Sequence, residues 1–93
     1  MILSFADRRT EAFFRHGRCP AQWRSFAAVA IRKLDAVDAA NLLQDLKVPP
    51  GNRLEALKRD RVGQHSIRIN DQWRICFRWT ENGPEDVEIV DYH

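Results

Sequence analysis

Glu55, Lys58, Arg68, Arg74 and the run Asp91-Tyr92-His93 are the side chains best suited to chemistry in this chain. Their types match what cleavage of an RNA phosphodiester requires. RNA carries its own nucleophile, the 2′-OH. Cleavage then needs a base for that proton, cations for the pentavalent phosphate and an acid for the departing 5′-oxygen. The charge stabilisation is often the largest of these effects. Lys58, Arg68 and Arg74 could supply the cations. Glu55, two positions after Arg53 and near Lys58, could be the base. His93 is a residue type that titrates near neutrality. Tyr92 could stack on a base or hydrogen-bond to a phosphate. The plainer alternatives are arginines that are merely solvated and a terminal histidine that is frayed and idle.

The elements that must position these groups follow from alternation. Ile67 and Ile69 flank Arg68, while Trp73, Ile75, Phe77 and Trp79 alternate with Arg74, Cys76 and Arg78. Successive side chains of a strand point to opposite faces, so one face of this hairpin is apolar and the other carries guanidinium groups. Such a face suits phosphate or carboxylate. The turn length is constrained as well. A two-residue turn at Asn70-Asp71 would set Arg68 against Trp73. A three-residue loop, Asn70-Asp71-Gln72, pairs Ile69 with Trp73, Arg68 with Arg74 and Ile67 with Ile75, and keeps each face uniform. It also sets two like charges opposite each other, at a cost of about 0.2–1 kcal/mol.

Charge is unevenly distributed. The net formal charge is +2, yet residues 53–78 carry +4, residues 79–93 carry −5 and residues 1–52 carry +3. The protein is therefore not a diffuse polycation, and its positive charge is local, as a site requires. Ninety-three residues suffice for one domain, residues 1–93, with one modest core. No apolar run is long enough to span a membrane. The opening Met1-Ile2-Leu3-Ser4-Phe5-Ala6-Asp7-Arg8 lacks the features of a signal peptide. Cys19 and Cys76 have no metal-ligand spacing and read as small, at least half-buried thiols, so a reducing cytoplasmic location is expected.

Ile2–Phe5 reads as a short first strand. Asp7 or Thr10 can cap a helix that carries Phe13 and Phe14 and stops at Gly17. From Ala21 to about Val37, residues Trp23, Phe26, Ala27, Ala30, Ile31 and Leu34 recur at helical steps, with Arg24, Arg32 and Lys33 off the stripe. Asp38 can cap a shorter helix carrying Leu42, Leu43 and Leu46. Val48-Pro49-Pro50-Gly51 breaks it. Strands are then expected over 52–57, 64–69, 73–80 and 86–91, with Asn82-Gly83-Pro84 as the last turn. Helices followed by strands joined through short turns argue an α+β fold, with the helices on the apolar face of a mostly antiparallel sheet. The other face is expected to be open, with Arg68, Arg74 and Arg78 on it.

Neither His-x-x-x-His nor Cys-x-x-Cys occurs, and there is no glycine-rich phosphate loop and no serine-hydrolase elbow. No metal or other cofactor is expected. Asn52-Arg53-Leu54-Glu55-Ala56-Leu57-Lys58-Arg59-Asp60-Arg61, Ser66-Ile67-Arg68-Ile69-Asn70-Asp71-Gln72-Trp73-Arg74-Ile75 and the terminal Asp91-Tyr92-His93 together resemble a HigB-type toxin of the RelE/ParE superfamily. The similarity extends to the opening Met1-Ile2-x-Ser4-Phe5 and the Phe13-Phe14 helix. The resemblance implies a RelE-like α+β fold, with N-terminal helices packed on one face of a curved, mostly antiparallel four- to five-stranded sheet. It implies a ribosome-dependent endonuclease that cuts translated mRNA without a metal. It also implies a HigA-type helix-turn-helix antitoxin partner, through which alone the toxin would meet operator DNA.

Carried over by position, Lys58 and Arg74 match basic residues of the family's RNA site, and Asp91, Tyr92 and His93 match its terminal catalytic group. Glu55 stands where several members have a histidine, so either Glu55 or His93 handles protons. Lys58, Arg68 and Arg74 would hold phosphate, and Arg53, Arg59, Arg61 and Arg78 would bind the RNA backbone. Asp60 would order its loop. Two other readings stay open. One is a ParE-like toxin that poisons DNA gyrase without cutting RNA. The other is a basic module that sits on ribosomal RNA without cleaving it.

Overall fold

The computed structural model describes residues 1–92. It is an α+β fold in two layers. A four-stranded antiparallel sheet has the order β1 (Glu55–Ala56), β2 (His65–Arg68), β3 (Trp73–Thr80) and β4 (Gly83–Asp91). The helices α1 (Arg8–His16) and α2 (Ala27–Ala39) cover one face. No helix among the described residues is long and apolar enough to cross a membrane.

The central hairpin has the register that face uniformity demands. Arg68 lies opposite Arg74 and Ile67 opposite Ile75. The Ile69 amide donates to the Trp73 carbonyl at 2.9 Å. The Asn70 side chain sets the three-residue loop by accepting from the amides of Gln72 (2.9 Å) and Trp73 (2.8 Å). A short amide side chain reaching its own backbone two or three residues on is a standard way to close a turn. The like-charge pair is relieved because Arg68 turns to Asp71 while Arg74 turns to β1 and Ser66.

The apolar face carries the core. Ile67, Ile69, Ile75, Phe77, Val87 and Ile89 pack against Phe13, Trp23, Phe26, Ala30, Leu34 and Val37. Trp23 meets Phe13 edge-on with ring centroids 5.4 Å apart and approaches Trp73 at 6.5 Å, while Phe26 lies 5.4 Å from Trp73. These tilted and edge-on contacts are the favourable arrangements for aromatic pairs. Asp7 caps α1 by accepting from the Thr10 amide at 3.0 Å, and Gly17 ends it in the left-handed region at φ 70°. The Thr10 hydroxyl instead accepts from the Ile89 amide at 3.1 Å and so ties α1 to β4.

Several expected elements take another form. Residues 2–5 make no regular strand, only a parallel bridge from Phe5 to Val87. At Asp86, φ 54°, the β4 amide donates to the Ser4 hydroxyl rather than to a main-chain carbonyl, so no regular ladder runs through this point. The helix expected over 21–37 begins as a 3₁₀ segment, Ala21–Phe26, before α2. Trp23 and Phe26 are three apart, and three residues per turn stack both on the core side. Asp38 caps nothing: α2 runs through it, and its carboxylate accepts from the Ile2 amide at 2.8 Å. The second helix is a 3₁₀ turn, Leu43–Lys47, capped by Asp45, which accepts from the amides of Asn41 and Leu42. Leu42 points outward.

The strand expected over 52–57 shrinks to Glu55–Ala56, because Pro50–Asn52 forms a 3₁₀ turn and Arg53 is left-handed at φ 45°. The last turn is Glu81-Asn82, with Thr80 paired to Gly83, so Gly83 and Pro84 belong to β4.

The arginine face is not fully open either. Leu57, Ser66 and Cys76 are buried there, and residues 57–64 run across it. The Arg61 guanidinium donates to Glu88 at 2.7 Å, and Gly63 packs close against Arg78. The free side of β4 is occupied as well. Leu3 and Ala6 donate to the carbonyls of Pro84 and Val87, Val87 donates to the Ser4 carbonyl, and the Ser4 hydroxyl accepts from the Asp86 amide.

Candidate functional site

Two shallow depressions meet on the arginine face. One, of about 400 Å³, is lined by Arg53, Glu55, Arg68, Asn70, Asp71, Arg74 and Tyr92. The other, of about 370 Å³, is lined by Glu55, Ala56, Leu57, Lys58, Arg59 and Tyr92. Glu55 and Tyr92 belong to both, so they form the partition of one continuous groove. Five cations, Arg53, Lys58, Arg59, Arg68 and Arg74, line it.

Local structure explains each placement. Arg53 and Arg59 bracket β1, and both occupy the left-handed region, at φ 45° and 58°. A non-glycine residue there is strained, and such strain clusters at functional sites. Glu55 projects from β1 on the same side as Ser66 of β2, its paired residue. Arg74 is the best-anchored cation. Its Nε donates to the Ser66 hydroxyl and its Nη2 to the Arg53 carbonyl, both at 2.7 Å, and the Glu55 carboxylate lies 3.6 Å away. Only 12% of its side chain is exposed, against 50% for Glu55. Arg68 pairs with Asp71, whose side chain is fully exposed. Tyr92 is placed by its amide, which donates to the Gln72 carbonyl at 2.9 Å. Asp91 pairs with Trp73 and accepts from the Gln72 side chain at 2.9 Å.

The remaining sequence candidates lie elsewhere. Arg61 donates to Glu88 and Gln64, and Arg78 faces Asp86 at 4.0 Å; neither lines the groove. His93 lies outside the described residues. Three further residues matter that alternation alone did not single out. Ser66 is fully buried beneath Arg74. Asn52 is buried and donates to the carbonyls of Leu46 (3.1 Å) and Val48 (3.2 Å), while its oxygen accepts from Lys33. Lys33 itself has a lowered pKa, first from burial and then from the charges of Arg32 and Arg68. Its only mark in the sequence was its place off the apolar stripe of α2.

Cys76 lies on the same face, below the groove. Burial is the main cause that pushes its thiol from 9.0 to about 11. The folded state therefore keeps a proton that the unfolded chain releases, and this group's contribution to stability falls as pH rises from about 9 to about 11. The thiolate is the reactive form. At pH 8, iodoacetamide is expected to label the half-buried Cys19 and to leave Cys76 untouched until the protein is unfolded. Mass spectrometry of the labelled peptides checks this.

Residues 3–93 match the family model described as the RelE-like toxin of type II toxin–antitoxin system HigB. The chain belongs to this family. It is similar to Toxin HigB-1 of Vibrio cholerae, with 40% identity over 85 residues, covering 87% of this chain and 86% of that protein. An uncharacterized protein of Haemophilus influenzae is 33% identical over 79 residues, covering 84% of this chain and 78% of that one. Among solved structures, a YoeB/ParE toxin from Agrobacterium tumefaciens aligns with a TM-score of 0.51 at 21% identity, over 99% of this chain and 96% of that one. That likeness concerns the fold alone, and it agrees with the RelE-like layering described above. A type II toxin has an antitoxin partner, and the groove gathers Arg53, Lys58, Arg59, Arg68 and Arg74 along one concavity.

Proposed function

We propose that this toxin is a ribosome-dependent endoribonuclease that cuts translated mRNA, with the RNA 2′-OH as nucleophile. The observation that supports this most directly is the divided groove. Cations stand on both sides of a partition made by one carboxylate and one phenol. A phosphodiester lying across the partition would place its non-bridging oxygens against Arg74 and Arg68. The neighbouring phosphates would meet Arg53 on one side and Lys58 and Arg59 on the other. Fixed guanidinium groups aimed at a phosphorane stabilise it without reorganising during the reaction. Glu55, beside Arg74, or His93 would take the 2′-OH proton, and the other of the two would give a proton to the departing 5′-oxygen. Tyr92 offers a flat face to a base, or a hydroxyl to phosphate. Asp91 would steady the end of β4 next to it. Arg61 and Arg78 would act by holding residues 57–64 and the bulged strand in place rather than by touching RNA.

The cognate partner would be a HigA-type helix-turn-helix antitoxin that blocks the toxin and carries the pair to operator DNA. The expected result of brief induction is a set of new mRNA 5′ ends positioned at the ribosomal A site. Transcriptome-wide 5′-end mapping, with and without a translation inhibitor, checks this. Unchanged message ends with double-strand breaks in DNA would instead indicate the gyrase-poisoning activity. Intact RNA and DNA with stalled ribosomes would indicate a non-cleaving binder.

A further inference from the structure

We propose that Ser66 is a positioning residue: its buried hydroxyl, together with the main-chain carbonyl of Arg53, fixes the Arg74 guanidinium in the orientation that serves phosphate. The inference rests on the ribonuclease reading above for its kinetic consequence, though not for its geometry. Arg74 sits on β3, whose neighbouring strand β2 brings Ser66 under it. Ser66 is fully buried, and its Oγ accepts from Arg74 Nε at 2.7 Å. The second anchor comes from a different part of the chain. Arg74 Nη2 donates to the Arg53 carbonyl at 2.7 Å, and that carbonyl belongs to a residue held at φ 45°. Asn52, immediately before it, is clamped by the carbonyls of Leu46 and Val48 and by Lys33 of α2. The helical layer therefore sets where the Arg53 carbonyl stands.

Two acceptors at different nitrogens define the plane of a guanidinium, where a single one would leave it free to swing. They engage two of its five N–H donors and leave the others for the groove. Serine suits this position because it is small enough to be buried and still presents an oxygen. Alanine there would leave the Arg74 Nε–H without its acceptor and let the side chain leave its orientation.

The experiment has one arm that needs no activity. In the ¹⁵N spectrum of the isolated wild-type toxin, the Arg74 Nε–H should exchange slowly with water, and in Ser66→Ala it should exchange at the rate of a free arginine. In the second arm, Ser66→Ala should lower kcat on programmed ribosomes about 10- to 100-fold while KM stays within about twofold, the pattern of a misplaced group. In an Arg74→Ala background, the same substitution should add no further loss. Fast Nε–H exchange in the wild type overturns the proposal. So does wild-type kcat in Ser66→Ala, or a loss that simply adds to that of Arg74→Ala. If Ser66→Ala does not fold, Ser66→Cys retains the volume with a poorer acceptor and takes its place in both arms. A wild-type toxin that cuts no RNA would sink the nuclease reading, and the exchange rates would still decide the role of Ser66.

Discussion

Arg74→Ala is expected to reduce mRNA cleavage by about 100- to 1,000-fold, the cost typical of removing one preorganised donor from a developing oxyanion. Three contacts make Arg74 the cation with most at stake. Ser66, the Arg53 carbonyl and Glu55 all engage it, and little of its side chain meets solvent. A lysine should not restore activity. An ammonium on a flexible stem cannot satisfy the Ser66 hydroxyl and the Arg53 carbonyl at once while still presenting a flat edge to phosphate. Arg74→Lys is therefore expected to remain at least about tenfold below wild type. Single-turnover cleavage on programmed ribosomes, with toxin in excess, measures the chemical step. The truncation also leaves the Ser66 hydroxyl without the Arg74 donor, at about 1–3 kcal/mol of stability. Thermal melts should therefore accompany the kinetics. Near wild-type cleavage by a folded Arg74→Ala protein would remove the groove from consideration.

Phe77→Ala is expected to destabilise the fold by about 3–5 kcal/mol, the usual cost of emptying an aromatic site in a packed core. Phe77 is fully buried in β3, opposite His65, and belongs to the cluster that joins the sheet to α1 and α2. A domain of 93 residues holds about 5–14 kcal/mol in total. The substitution would thus remove a large share of the stability and lower the melting temperature by more than about 12 °C. Urea unfolding followed by tryptophan fluorescence measures it. Val62→Ala, at an exposed position, should stay within about 0.5 kcal/mol of wild type. The contrast between the two separates core packing from a general intolerance of substitution.

The parts of the fold that a reader could extract from residue order are those set by local rules. Asp7 and Gly17 bound α1 because capping is a matter of a few adjacent atoms. The β2–β3 register follows from alternation and from the Asn70 side chain. Residues 53–64 were not legible in the same way. Their path depends on left-handed arginines at 53 and 59, and on an ion pair between Arg61 and Glu88 that spans 27 positions. Strand alternation puts Arg78 on the same face as Arg74, but Gly63 lies against it there and its guanidinium turns to Asp86, away from the groove. The anchoring roles of Ser66 and Asn52 are hidden in the sequence for a different reason. A small polar residue in a strand or a turn looks unremarkable until its buried partners are known. Charge and type revealed the cations. What holds them required three dimensions.

The treatment of the sheet's two rims has its own consequence. On β4 the amides of Asp86, Val87 and Ile89 and the carbonyls of Pro84 and Val87 are taken up by residues 3–6 and by the Thr10 hydroxyl. The opposite rim, β1, is only two residues long and is flanked by Arg53 and Lys58. Among the described residues neither rim offers a long template on which another chain could stack, and the charges beside β1 repel an identical neighbour. Molecules of this toxin should therefore resist growing into fibres even when crowded, and the exposed arginine groove can exist without a sticky border beside it.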